Sequence, residues 1–166
     1  MDLARFGRHV LMHPIRERRA FPRATLDAIQ REISAQEKRH RGQVVFIVEA
    51  ELGSSQLLRG LGSRQRARQV FATHGVWNTE ENNGVLIYLL LADRRVEIVA
   101  DRGIHAKVKD SDWQDICRRM ERDFREGRFE AGSIAGVRAV SDLLARYFPG
   151  DGSPRANELP DRPELI

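Results

Sequence analysis

The sequence predicts a three-layer α/β/α sandwich, an α/β fold in which a small mixed β-sheet carries helices on both faces. Two continuous apolar runs, residues 44–48 and 85–91, are typical of strands buried on both faces. A stretch with helical spacing lies between them, so the two strands should run parallel through a right-handed crossover. The chain has 166 residues, 41% of them hydrophobic and 31% charged, and is long enough for one domain with its own core.

The helices that flank the first strand are indicated by capping residues and by apolar periodicity. Thr25 is predicted to cap a helix whose apolar residues recur at helical spacing. We expect this helix to reach about Arg39 and to stop at Gly42. A second helix should begin at Ser63, which can act as its cap, and end at Gly75.

The sequence of the second half of the chain predicts a hairpin followed by two helices. A short turn at residues 93–95 leads into a third strand over residues 96–100, which should pair with the second strand in antiparallel fashion. Ser111 and Gln114 have the spacing of a capping box, which marks the start of a helix. The last helix should end before Pro149.

These elements divide the chain into three parts. Residues 1–23 are expected to form an N-terminal basic arm or short helix. Residues 24–149 form the α/β domain, and residues 150–166, which hold three prolines, are expected to form a C-terminal loop tail.

The positive charge of the chain is concentrated near its beginning. The whole sequence has a formal net charge of +4, and residues 1–41 contain ten Lys or Arg against five Asp or Glu, including Arg16, Arg18, Arg19 and Arg23. Such a segment could bind a nucleic acid or an anionic membrane. The favoured interpretation is a solvated helix face with a flexible arm, because no aromatic residues interleave with these arginines to stack on bases.

Neither a membrane segment nor a disulfide is indicated. The longest apolar run, residues 85–92, is far shorter than the roughly 20 residues that cross a bilayer. The N-terminus has no apolar core of a signal peptide, and Cys117 is the single cysteine. We therefore expect a cytoplasmic protein without an integral membrane segment.

A group of polar side chains is predicted to meet at one edge of the sheet. The third strand, being antiparallel, ends where its parallel neighbours begin, which brings Asp101 to the same edge as Glu80, Glu81, Asn82 and Asn83. Carboxylate and amide oxygens are the ligands that Ca²⁺ and Mg²⁺ prefer. The alternative is an ordinary polar turn that leads into a strand.

Two residues next to this edge could take part in catalysis. His105 could transfer a proton near neutral pH, and Arg102 could neutralise developing negative charge. Alternatively, His105 is a surface residue that follows a glycine turn. Cys117 lies on the apolar stripe of its helix and is interpreted as a core residue rather than a nucleophile.

Three segments closely resemble the TPM domain family: residues 66–71 (RARQVF), 79–88 (TEENNGVLIY) and 93–105 (DRRVEIVADRGIH). The resemblance extends over about residues 24–165 and is to the soluble single-domain bacterial members. It implies the same three-layer fold, and it implies a Ca²⁺ or active-site region in the loops around residues 80–83 and 101–105. Members of the family are associated with phosphatase activity or with photosystem repair.

The chain departs from the family in two respects. Many members carry an export signal and a C-terminal transmembrane segment, and neither is found in this sequence. Many members also have an acidic residue where this chain has Gln43, and the loss of that carboxylate should weaken a cation site.

Three functions are consistent with these observations. The first is a regulatory or interaction module that binds Ca²⁺ or Mg²⁺ and acts on an unidentified protein partner. The second is a metal-dependent phosphatase that acts on phosphate monoesters, and the third is a binder of anionic membranes or nucleic acids through residues 1–23.

Overall fold

A four-stranded mixed sheet forms the centre of the protein. The computed structural model describes residues 3–10, 18–152 and 156–166. The strands are β1 (Gln43–Glu49), β2 (Gly84–Leu90), β3 (Arg95–Ala100) and β4 (Glu164–Leu165), in the order β3-β2-β1-β4. β2 is parallel to β1 and antiparallel to β3, which confirms the predicted crossover and hairpin.

Helices cover both faces of this sheet. They are α1 (Leu3–Val10), α2 (Arg23–Gln36), α3 (Ser54–Leu58), α4 (Ser63–Thr73), α5 (Arg102–His105), α6 (Asp110–Arg125) and α7 (Phe129–Tyr147). Alternate residues of each central strand enter different cores: Val44 and Phe46 pack with α2, α6 and α7, whereas Val45 and Ile47 pack with α3 and α4. The predicted three-layer sandwich is therefore confirmed, and the two central strands are buried along their whole length, which explains their apolar runs at residues 44–48 and 85–90.

The prediction that residues 150–166 form only a loop is wrong at their end. Glu164–Leu165 pairs in parallel with Ile47 and Val48 of β1, and Ile166 N donates to Val48 O at 2.9 Å. This strand covers the edge of β1 that β2 leaves open. Two residues are too few to give a periodic signal in a sequence rich in proline.

Three predicted helix caps are also wrong. Ser63 is the first residue of α4 and follows the cap position at Gly62, and its hydroxyl donates to Glu97 Oε1 at 2.6 Å. α2 begins after Pro22, whose carbonyl accepts from Thr25 N, and the Thr25 hydroxyl instead donates to Glu130 Oε2 of α7 at 2.8 Å. α6 begins at Asp110, one residue before Ser111, and has no side-chain cap. α2 ends at Gln36 rather than near Arg39, because the chain turns there toward β1.

The N-terminal segment contains a helix that packs against the domain. Arg5 of α1 binds Asp93 through both Nε and Nη2, and His9 Nε2 lies 3.1 Å from Asp93 Oδ1. His9 Nδ1 accepts from Leu52 N, so Nε2 carries the proton and donates to Asp93. The short helix allowed by the sequence is thus present over residues 3–10, and Arg16 of the predicted basic arm lies outside the described residues.

A buried polar network links β1, β2 and α4. Arg66 contacts both carboxylate oxygens of Glu49, at 2.8 Å from Nε to Oε2 and 3.0 Å from Nη2 to Oε1. The Tyr88 hydroxyl donates to Glu49 Oε2 at 2.5 Å, and burial raises the pKa of Tyr88 far above its usual range. The Glu49 carboxylate is buried and therefore depends on these two partners.

Replacing Arg66 with methionine should destabilise the fold strongly, because the buried Glu49 carboxylate loses its counter-charge. The expected loss is about 3–5 kcal/mol, which lowers the midpoint of thermal unfolding by roughly 6–20 °C in a domain of this size. Arg68→Met is the matched control, since Arg68 lies exposed on the same helix. Equal melting curves for the two variants would contradict the structural role of the network.

Candidate functional site

The predicted polar edge brings Asn83 and Asp101 together at neighbouring strand ends. Asn83 directly precedes β2 and Asp101 directly follows β3, and Asp101 N donates to Gly84 O at 2.9 Å. Both side chains are nearly inaccessible, with 1% of Asn83 and 8% of Asp101 exposed. The antiparallel pairing of β2 with β3 therefore buries an amide and a carboxylate at the same edge of the sheet.

Each of these two side chains has one oxygen without a hydrogen-bond partner in the part of the chain that the structure describes. Asn83 Nδ2 donates to Arg41 O at 3.0 Å, but Asn83 Oδ1 is buried and has no partner among the described residues. Asp101 Oδ1 caps α5 by accepting from Arg102 N at 2.7 Å, while Asp101 Oδ2 is likewise buried without a described partner. Buried oxygens of this kind normally bind an ordered water or an ion.

The other three predicted ligands lie in the loop before Asn83 and have different surroundings. Glu80 is exposed, and its backbone N donates to Glu158 Oε2. Glu81 Oε1 forms an ion pair with Arg41 Nη1 at 2.7 Å. Asn82 has a left-handed backbone, φ 52°, and its Oδ1 accepts from Arg102 Nε at 2.9 Å. Over the described ranges, no three His, Cys, Asp or Glu side chains form a group that could hold a metal.

A glycine fixes the two loops of this edge against each other. Gly103 N donates to Asn82 O at 2.9 Å. A Cβ at position 103 would lie 2.5 Å from Asn82 O and 2.8 Å from Glu81 O, both backbone atoms. Only glycine leaves room for this approach.

The predicted catalytic pair is not assembled into one group. Arg102 donates to Asn82, whereas the His105 side chain is 54% exposed at the end of α5 and its Nδ1 lies 3.9 Å from Asp110 Oδ1. His105 thus belongs to a short helix, one turn after Asp101, rather than to a glycine turn. Cys117 packs against the core, as predicted, and burial raises the pKa of its thiol to about 12.

Gln43 makes a connection that the sequence did not indicate. Its Oε1 accepts from the backbone N of both Glu158 and Leu159, each at 3.0 Å. The side chain at the start of β1 therefore holds the segment that leads to β4. A carbonyl oxygen can accept these two bonds as a carboxylate would, without its charge.

A cavity of about 630 Å³ opens beside Gln43 and contains two titratable groups that sequence reasoning missed. Burial, with the nearby Asp161 carboxylate, raises the pKa of Glu37 to about 8, although Val44 N donates to Glu37 Oε1 at 2.9 Å. Burial lowers the pKa of His40 to about 4, and His40 Nδ1 donates to Gly42 O. Glu37 and Asp161 are far apart in the chain, so no local pattern could have linked them.

Replacing Gly103 with alanine should displace the loop of residues 80–83, because the new Cβ would collide with two backbone carbonyls. We expect a clear fall in thermal stability and shifts in the backbone amide resonances of residues 80–83. Gly7→Ala is the control: no atom lies within 4 Å of a Cβ there, and alanine favours a helix. Unchanged resonances in Gly103→Ala would contradict the described contact.

Glu37→Gln should flatten the dependence of stability on pH. The carboxyl of Glu37 has a higher pKa in the folded state than its ordinary value of 4.5, so its contribution is full below about pH 4.5 and is lost as the pH rises through about 8. Glutamine keeps an acceptor for Val44 N and does not ionise. Between pH 5 and 9, the midpoint of thermal unfolding should therefore fall less for Glu37→Gln than for the wild type. Glu51→Gln, at an exposed position, should follow the wild type. Parallel curves for all three proteins would exclude the effect.

The chain is similar to known proteins in sequence and in structure. Residues 16–143 match the TPM domain family. The NMR structure of the BA42 protein from the psychrophilic bacterium Bizionia argentinensis is 28% identical, with a TM-score of 0.75 over 86% of this chain and 93% of that one. The N-terminal domain of a P. gingivalis protein is 24% identical with a TM-score of 0.58, covers 73% and 74% of the two chains, and supports the fold alone.

None of the curated proteins matches the chain. In the part of the chain that the structure describes, no helix has the length and apolar character needed to cross a membrane. The family match covers most of the sequence and agrees with the resemblance of residues 66–105, so the chain belongs to the TPM domain family.

Proposed function

We propose that this protein is a regulatory or interaction module that binds a divalent cation, Ca²⁺ or Mg²⁺, at the edge formed by Asn83 and Asp101. The observation that carries the proposal is the pair of buried oxygens, Asn83 Oδ1 and Asp101 Oδ2, which have no described partner at adjacent strand ends. Oxygen atoms of amides and carboxylates are suitable ligands for these hard cations.

The loop before β2 offers further oxygen ligands. Ca²⁺ takes six to eight oxygens, so two side chains must be supplemented by water, backbone carbonyls or the side chains of Glu80, Glu81 and Asn82. Glu81 is bound to Arg41 and Asn82 to Arg102, so their use as ligands would require these contacts to open. We expect modest affinity for this reason, and because Gln43 provides no carboxylate.

Hydrogen bonds between this loop and the segment that leads to β4 support a regulatory role. Glu80 N binds the Glu158 carboxylate, and Glu158 N binds Gln43. A cation that reorganises the loop of residues 80–83 would therefore alter the segment that leads to β4. Such a change on the surface could be recognised by a protein partner, which the sequence does not identify.

Within the described ranges, no specific contact favours the phosphatase alternative over this proposal. Arg102 is occupied by Asn82, and His105 points to solvent near Asp110. The alternative therefore stays a prediction from the sequence, and it is tested by an additional assay in the experiment below.

Saturation with Ca²⁺ or Mg²⁺ should stabilise the wild-type protein. A cation at about 100 times its dissociation constant adds about 2.7 kcal/mol, which raises the melting midpoint by roughly 5–11 °C. Asp101→Asn should weaken binding about tenfold or more, measured by isothermal titration calorimetry, because it removes the one carboxylate of the buried pair. Asparagine is as good a helix cap as aspartate, so the variant should fold normally.

Glu51→Gln serves as the control, since Glu51 is an exposed carboxylate beyond the opposite end of β1. It should bind the cation as the wild type does. A wild-type protein that binds neither ion, or an Asp101→Asn variant with full affinity, would refute the proposed site. Hydrolysis of p-nitrophenyl phosphate that requires both Asp101 and His105 would instead favour the phosphatase.

A further inference from the structure

A second cavity lies at the other end of the sheet and has different chemistry. It has a volume of about 210 Å³ and is walled by the apolar side chains of Ala20, Leu89, Leu91, Phe124 and Phe129. Two arginines, Arg94 and Arg125, also line it. The cavity lies beside the carboxyl end of β2, whereas Asn83 precedes the start of that strand, so the two sites are roughly 25 Å apart along the strand.

The walls of this cavity belong to the hydrophobic core. Leu89 and Phe124 are buried, and the rings of Phe124 and Phe129 stack with centroids 5.5 Å apart and planes 19° apart. The Phe21 ring meets the edge of Phe129 at 5.5 Å. The aromatic wall is therefore held in place before any ligand arrives.

Among the described residues, the charge of the two arginines is not fully neutralised. Arg94 occupies the β2–β3 turn with a left-handed backbone, φ 50°, and no described carboxylate pairs with its exposed side chain. Arg125 is 57% exposed and reaches Glu121 Oε2 only at 3.4 Å. Glu121 is shared, since it also accepts from Val96 N and pairs with Arg95.

The surroundings of the cavity add positive rather than negative potential. Phe129 begins the 19-residue helix α7, whose amino end has no side-chain cap. Asp123 and Glu126 are both bound to Arg128, and Glu130 accepts from Thr25. The acidic groups on the neighbouring helices thus already have partners.

We propose that this cavity binds a small organic carboxylate whose apolar part is a single aromatic ring or a short alkyl chain. The apolar part would pack against Leu91 and Phe129, and the carboxylate would pair with Arg94 and Arg125 at the rim. The volume is below the roughly 300 Å³ at which pockets for drug-sized ligands begin, which limits the ligand to this size. Apolar walls disfavour a strongly hydrated inorganic anion, and the arginines disfavour an amine.

The test compares three ligands that differ only in their polar group. Phenylacetate, 2-phenylethanol and phenethylamine are titrated into the full, ¹⁵N-labelled chain, and backbone amide shifts are followed by NMR. Phenylacetate should bind most tightly and shift the amides of Leu89, Leu91 and Phe129, and hexanoate tests an alkyl chain in the same way. Binding of the alcohol or the amine with equal affinity would overturn the role of the arginines, and shifts confined to other residues would overturn the site.

Variants test the contribution of the rim arginines and that of the apolar walls separately. Arg94→Asn removes the charge while keeping a residue that tolerates the left-handed backbone, and it should weaken phenylacetate binding about tenfold or more because a charge-assisted hydrogen bond is lost. Arg119→Gln, at an exposed arginine on α6 that does not line the cavity, should leave binding unchanged. Ala20→Leu should abolish binding because the larger side chain fills the cavity, and a cooperative thermal melt would show that the variant still folds. Unaltered affinity in either Arg94→Asn or Ala20→Leu would refute the proposal.

Discussion

The register of β1 against β2 fixes the position of every loop at the candidate cation site. Gln43 lies opposite Gly84, so the residues that precede both strands meet at one edge of the sheet. Gly84 also accepts from Asp101 N, which adds the end of β3 to the same edge. A Cβ at Gly84 would lie 2.0 Å from Val76 O, so only glycine allows the chain before β2 to pack this closely. Asn83 and Asp101 are both buried at this edge of the sheet.

The two ends of the sheet have opposite chemical character, and this follows from strand direction. The edge where β1 and β2 begin has buried oxygens and surrounding carboxylates, which suit a cation. The other end has the β2–β3 turn and the end of α6, both rich in arginine, above an apolar wall. Asp93, in the same turn, is occupied by Arg5 and His9, so its charge does not offset Arg94. The two proposed sites would thus favour ligands of opposite charge.

The sequence predicts the central fold well because both faces of its strands are apolar. Residues 44–48 and 85–91 lie within or next to β1 and β2, and the hairpin follows directly from the turn at residues 93–95. The capping predictions at Thr25, Ser63 and Ser111 fail because another residue, Pro22, Gly62 or Lys109, occupies the cap position of each helix, which capping preferences do not decide. β4 is missed because its two residues owe their conformation to the open edge of β1 rather than to their own pattern.

Only part of the candidate site could be predicted from the sequence, because several of its contacts join distant segments. Topology brings Asp101 to the edge of Asn83, and strand order could be inferred from the sequence. The orientation of the neighbouring acids could not, because Glu81 is bound by Arg41 and Glu80 N by Glu158 through contacts between distant segments. Glu37 likewise acquires its raised pKa from burial beside Asp161, which is close only in the folded chain.

Gln43 connects the candidate cation site to the edge of the sheet. Its side chain binds Glu158 N and Leu159 N, and the same segment continues to β4 on the outer side of β1. Glu158 in turn binds the backbone of Glu80, in the loop that precedes Asn83. The loop and the segment that leads to the C-terminal strand are therefore joined by a short series of hydrogen bonds through Glu158. The neutral amide of Gln43 forms these hydrogen bonds without adding charge. Compared with a carboxylate at position 43, it therefore keeps the two segments connected but lowers the negative potential that would attract a cation.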